Sequence, residues 1–198
     1  MSQDGVNKTR RTLLVGATAG VGAVGAGFMA VPFVGSWLPS EKAKAAGAPA
    51  KVDVSKIEPG AMLTAEWRGK PVYIARRTDA VIANLPKLND RLKDPSNDVK
   101  TQQPAYADNI NRSRKPELIV LLGVCTHLGC APKYFPEVVP QQFDAEWQGG
   151  WFCPCHGSRF DLSGRVFKGS PAAINLEVPP YMFESDSVVV IGVDEEKA

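Results

Sequence analysis

Histidine and cysteine are scarce in this sequence: 198 residues hold two His and four Cys. Thiol or imidazole chemistry therefore cannot be spread along the chain, and all six residues fall between positions 125 and 156. Excess charge is scarce as well. The formal net charge is +2, too small to suggest a nucleic-acid partner. It arises in the first 11 residues, where Lys8, Arg10 and Arg11 outnumber Asp4; beyond them 20 basic residues meet 20 acidic ones. No internal repeat is present, and no low-complexity tract outside residues 41–50, which excludes a solenoid or a fibrous chain. Hydrophobic residues at 44% and charged residues at 22% exclude wholesale disorder. Gly (18) and Pro (16) are plentiful. That much turn-forming residue argues against a helical bundle and for a β-rich fold.

Charge is wholly missing from Thr12 to Ser40, a run of 29 residues. A helix needs about 20 residues to cross the hydrocarbon core. A retained anchor helix is expected over residues 12–38, following a cytoplasmic tail of residues 1–11 by the positive-inside rule. Trp37 sits where an interfacial aromatic belongs. Gly16-Ala17-Thr18-Ala19-Gly20 has the small-residue spacing that permits close helix packing. The preceding Lys8-Thr9-Arg10-Arg11-Thr12-Leu13-Leu14 resembles a twin-arginine export signal, and an ordinary charged leader is the plainer reading. Ala43-Lys44-Ala45 and Ala46-Gly47-Ala48 could pass for signal-peptidase sites, but the apolar run is too long for a typical leader.

Residues 39–50 read as a tether. Residues 41–48 would span roughly 12 Å as helix and roughly 27 Å extended, so the segment is either a passive spacer or a hinge. A head domain is expected over 51–198. Ala61–Trp67 and Pro71–Arg76, split at Gly69-Lys70, predict a hairpin. Residues 79–115 predict a helix and a long loop, and Glu117–Val124 a buried strand. Trp151-Phe152, Arg159–Leu162, Arg165–Phe167, Leu176–Val178 and Val188–Val193 predict further short strands. Ser163-Gly164 reads as a tight turn. Trp67, Trp147 and Trp151 are expected in the core. Arg76-Arg77 and Arg112–Lys115 are expected on solvated faces, and Asp194-Glu195-Glu196 in a frayed end.

The chemistry lies in two hexapeptides, Cys125-Thr126-His127-Leu128-Gly129-Cys130 and Cys153-Pro154-Cys155-His156-Gly157-Ser158, with 22 residues between them. The first is CxHxxC and the second begins CxCH. Thiolate and imidazole together suit zinc or iron, and the spacing leaves that choice open.

The two patterns resemble the Rieske iron–sulfur proteins, and more closely the Rieske subunits of cytochrome bc1 complexes. The resemblance runs from the anchor helix to the C-terminus, taking in Gly169-Ser170-Pro171-Ala172 and the ending LEVPPYMFESDSVVVIG. It implies a mostly β fold: an antiparallel β-sandwich head with a cluster-binding subdomain near residues 120–173, plus a single N-terminal transmembrane helix. It implies one [2Fe–2S] cluster per subunit, with Cys125 and Cys153 on one iron and His127 and His156 on the other. It further implies a Cys130–Cys155 disulfide, a cluster-directed hydroxyl on Ser158, and Leu128 and Pro171 as cluster cover and docking surface. The implied activity is that of ubiquinol:cytochrome c reductase, a translocating oxidoreductase. His156 would meet the quinol at cytochrome b, and head movement on the 39–50 tether would carry the electron to cytochrome c1. The implied setting is a homodimeric complex in a bacterial inner membrane, with the head in the periplasm.

Two departures stand out. Phe160 occupies a position where many high-potential relatives carry Tyr, so one hydrogen bond to a ligand sulfur is lost and a lower midpoint potential is expected. The covering loop has one proline, Pro171, where the family often has two. Two rival readings remain: the Rieske subunit of another periplasmic oxidoreductase, such as an arsenite oxidase, and an exported structural zinc module.

Overall fold

In the computed structural model, residue 5 and residues 7–194 are described. The start of the expected 1–11 tail, and Glu195 and Glu196 of the acidic end, lie outside the described residues. The chain divides into two units, Met1–Ala45 and Ala46–Ala198.

The first unit is built on α1, Lys8–Gly35. It starts earlier than the expected span because Asn7 caps it, its side chain accepting from the Arg10 N–H at 3.1 Å. Pro32 sits inside the last turns. Glycines 16, 20, 22, 25 and 27 lie within α1, and each costs about 1 kcal/mol relative to Ala in a water-exposed helix. In hydrocarbon such glycines are tolerated, because unpaired backbone groups are too costly there for the helix to open. Leu13, Val21, Phe28 and Val31 are all exposed along it. Next comes α2, Glu41–Ala46, with a Lys44–Glu41 ion pair on its surface.

The second unit contains three antiparallel sheets of three strands each, ordered β1-β9-β8, β2-β3-β4 and β5-β6-β7. The first joins β1 (Ala50–Asp53), β8 (Tyr181–Ser185) and β9 (Val188–Ile191). The second joins β2 (Met62–Trp67), β3 (Lys70–Arg76) and β4 (Leu118–Leu122). The third joins β5 (Lys133–Phe135), β6 (Gly150–Phe152) and β7 (Arg159–Asp161). The β2–β3 turn is Arg68-Gly69, one residue earlier than expected: Trp67 pairs with Lys70, and both turn residues have positive φ, at 52° and 70°. That is the two-residue geometry that matches strand twist.

All five residues of β4 are buried. Each contributes roughly 1.5–3 kcal/mol of burial, and β4 is the floor from which the first motif loop emerges. Trp67, Trp147 and Trp151 are all buried. Residues 79–115 hold α3 (Asp79–Asn84) and then 3₁₀ turns. Residues 165–167 and 176–178 do not form strands. The former make only isolated bridges, Phe160 to Val166 and Leu92 to Phe167. The latter are pinned by single bonds, such as the Leu122 N–H to the Glu177 carbonyl at 2.8 Å.

Arg77 and Arg112 are not on solvated faces; both are buried. Arg77 donates to Asn111 O at 2.8 Å and to Ser163 Oγ at 2.9 Å. Arg112 donates to Ser163 O at 3.1 Å and to Gln103 Oε1 at 3.0 Å. The two guanidiniums hold the Ser163-Gly164 turn from outside. Burial lowers both to about 10. Backbone and side-chain oxygens replace the lost water, which is how a buried cation is tolerated.

Candidate metal centre

The two motif loops close in the same way. In the first, the Cys125 N–H donates to Cys130 O at 2.8 Å and the Gly129 N–H to Cys125 O at 2.9 Å. In the second, the Cys153 N–H donates to Ser158 O at 2.8 Å and the Gly157 N–H to Cys153 O at 2.9 Å. Each turn needs a left-handed residue at its fifth position, and glycine supplies it, at φ 84° for Gly129 and 80° for Gly157. The first loop leaves β4 through Gly123-Val124, and the second joins β6 to β7.

Within this shared frame the side chains interlock rather than mirror. Both first positions are cysteine: Cys125 and Cys153 are free and buried. Cys130, sixth in its loop, is bonded to Cys155, third in the other. The sulfurs of Cys130, Cys153 and Cys155 lie within 4.8 Å of one another. Two of these are used by the disulfide, so the available thiols are those of Cys125 and Cys153. His127 and His156 face each other edge to face, with ring centroids 4.8 Å apart. The fold thus gathers two thiols and two imidazoles from two separate loops.

Burial pushes the Cys125 thiol up. The His127 backbone N–H bonds to it and lowers it, the neighbouring Cys153 raises it, and Ser158 pulls it down again. The Ser158 side chain is fully buried, and its oxygen accepts from the Ala172 N–H at 3.0 Å. Its hydroxyl also hydrogen-bonds the Cys125 side chain. His127 Nδ1 is buried with no partner within the protein. A buried nitrogen without a partner is unfavourable unless a bound group meets it. Together with two free thiols and a second imidazole, that orphan nitrogen fits an iron–sulfur or zinc group.

The surroundings are rigid. The Tyr73 hydroxyl on β3 donates to Pro132 O at 3.0 Å, just past the first loop. Burial, and secondarily Cys153, push that phenol up. Gly123 packs on the same ring so closely that a Cβ would lie 2.5 Å from it. Residues 169–174 cover the loops. Thr126 Oγ1 donates to Ile174 O at 2.6 Å, and the Arg159 N–H donates to Ser170 Oγ at 3.0 Å. Thr126 and Ser170 are not candidates on sequence grounds; only their places next to motif residues could have marked them. His156 and Pro171 are exposed, and Leu128 is 70% exposed. Phe160 is fully buried on β7, opposite Trp151.

Comparison with known proteins gives consistent results. A family profile described as "Ubiquitinol-cytochrome C reductase Fe-S subunit TAT signal" matches residues 1–40, and one described as "Rieske [2Fe-2S] domain" matches residues 92–180. A ubiquinol-cytochrome c reductase iron-sulfur subunit from Allochromatium vinosum is 52% identical, over 100% of this chain and 95% of that protein. The subunit of the same name from Blastochloris viridis is 41% identical, over 96% of this chain and 97% of that protein. A solved chain described as "Hyperthermophilic respiratory Complex III" is 27% identical with a TM-score of 0.49, covering 89% of this chain and 98% of that one.

Proposed function

The chain belongs to the Rieske iron–sulfur subunits of ubiquinol–cytochrome c reductase, and from that premise we propose how its residues serve quinol oxidation. Cys125 and Cys153 hold one iron, and His127 and His156 hold the other. The pooling of two free thiols and two imidazoles by disulfide-linked loops carries this assignment. When bound, the [2Fe–2S] group supplies a one-electron acceptor, whose potential is raised by neutral imidazoles in place of two thiolates.

The remaining steps belong to the protein. His156, exposed on its loop, accepts a hydrogen bond from the quinol hydroxyl and takes its proton. Imidazole suits that role because a ring that gives one nitrogen to the metal keeps the other as a site for a proton. With the cluster bound, the Ser158 hydroxyl, whose oxygen is fixed by the Ala172 N–H, would be available to donate to sulfur. Leu128 and Pro171 form an apolar lip that docks on cytochrome b and keeps water from the quinol. Residues 39–50 act as the hinge by which the head reaches cytochrome c1. In support, α2 has only six residues, too few to be a stable helix by itself. The anchor spans a bacterial inner membrane with its N-terminus in the cytoplasm and the head in the periplasm, within a dimeric complex. Full-length similarity to quinol reductase subunits favours this reading over the arsenite oxidase and zinc alternatives.

The test is purification of the complex through a tag on this chain. Cytochromes b and c1 are expected to copurify, with quinol-driven cytochrome c reduction that His156→Gln abolishes without dissociating them. A His156→Gln complex that still turned over quinol would overturn the assignment.

A further inference from the structure

Lys93 lies outside both motifs, just beyond the 3₁₀ turn of residues 85–91. Its ammonium donates to Ser170 O at 2.6 Å and to Ala172 O at 2.7 Å. Those two carbonyls bracket Pro171. No carboxylate among the described residues pairs with Lys93, so its charge is directed at the covering segment alone.

The lysine is fixed at its root. Its N–H donates to Val166 O at 2.9 Å, and Leu92 bridges Phe167. The next carbonyl, of Asp94, accepts from Asn175 Nδ2 at 3.0 Å. Asp94 Oδ1 in turn takes the Asp98 N–H at 2.8 Å. The covering segment is fixed at its far side. Ala172 is held at both ends, by Ser158 Oγ at its N–H and by Lys93 at its carbonyl. Ser170 is held through its hydroxyl to the Arg159 backbone and through its carbonyl to Lys93. An ionised donor makes stronger bonds to carbonyls than a neutral one does.

We infer that Lys93 is a positioning residue for the centre: by gripping the carbonyls on either side of Pro171, it fixes the exposed proline and, through Ala172, the direction of the Ser158 hydroxyl. The effect on Pro171 stands without the cluster; the effect on Ser158 rests on the cluster reading.

The experiment uses the full chain in its complex, with Lys93→Met and Lys93→Arg. Amide exchange at Ala172 and Ala173 reports the segment; midpoint potential and EPR line shape report the Ser158 hydroxyl. The Met variant exchanges faster by about tenfold, as expected for the loss of two charge-assisted bonds on an exposed lysine, and its potential falls. The Arg variant, which keeps a cationic donor, restores both. Unchanged exchange and potential in the Met variant, or an Arg variant no closer to the wild type than Met, would overturn the inference. A second measurement needs no variant: Lys93 and Lys133 are both exposed, but in the wild-type complex an amine-reactive probe modifies the hydrogen-bonded Lys93 about tenfold more slowly than Lys133, and equal rates would overturn the grip on Pro171. A wild-type complex without an EPR signal would refute the cluster reading and the Ser158 effect, while exchange and labelling would still decide the grip on Pro171.

Discussion

The Cys130–Cys155 bridge is the covalent link between the two motif loops, and its removal gives the sharpest prediction. The two cysteines are 25 residues apart. Closing a loop of that size limits the unfolded chain by about 3.5 kcal/mol in the chain-entropy treatment. For the unit spanning Ala46–Ala198, that corresponds to a fall in unfolding temperature of about 10 °C. The local effect is larger in consequence. Each loop carries one free thiol and one imidazole, and each is closed by its own pair of backbone bonds. Without the bridge both loops keep their shape, but nothing covalent holds them in register. The Cys130→Ala/Cys155→Ala variant is expected to unfold earlier in denaturant, followed by circular dichroism, and to lose most of its cluster, followed by visible absorbance per chain. A variant with the wild-type midpoint and full absorbance would refute the reasoning.

Phe160→Tyr introduces a hydroxyl at the position where the family resemblance places one on a ligand sulfur. A bond worth about 1 kcal/mol more to the reduced state raises a one-electron potential by about 40 mV, and a redox titration showing no rise would contradict the account. Gly150→Ala places a Cβ 2.0 Å from Phe160 O, which forces β6 and β7 apart. Failure to accumulate folded protein is expected, and a stable variant would show that the pairing is softer than drawn. Burial holds the Tyr134 phenol up at about 12, against an ordinary value of 10. The folded state therefore keeps a proton that the unfolded state releases, so this contribution is whole below pH 10 and is lost as pH rises toward 12. Tyr134→Phe should make the alkaline loss of stability shallower by about one proton, and an unchanged slope in denaturant titrations at several pH values would count against it.

The gathering of two thiols and two imidazoles was legible because such side chains are rare and crowded here: no other part of the chain offers a thiol or an imidazole. The long N-terminal apolar helix was legible because a long uncharged run has few other uses. The β-rich character of the head followed from turn residues and short apolar runs, and its antiparallel arrangement from the family resemblance. Other features depend on contacts that no local pattern encodes. β1, β5 and β8 are short and polar enough at their edges to pass for loop, and only their partners make them strands. Residues 165–167 have strand composition, yet a turn and a bridge to Leu92 absorb them. Arg77 and Arg112 read as surface because guanidinium is usually solvated. Their burial depends on oxygens from residues 102–103, 111–113 and 162–163, assembled only by the fold. Lys93 is the same case on a smaller scale, since its partners are the carbonyls of Ser170 and Ala172, 77 and 79 positions away.

The measurement that bears most directly on the central claim is low-temperature EPR on membranes containing this chain, reduced with ascorbate. A rhombic Rieske-type signal is expected, because a cluster held by two thiolates and two imidazoles is high enough in potential to be reduced by so mild a donor. A signal seen only after dithionite would contradict the role in quinol oxidation. No signal with either reductant, with zinc bound in its place, would contradict the centre itself.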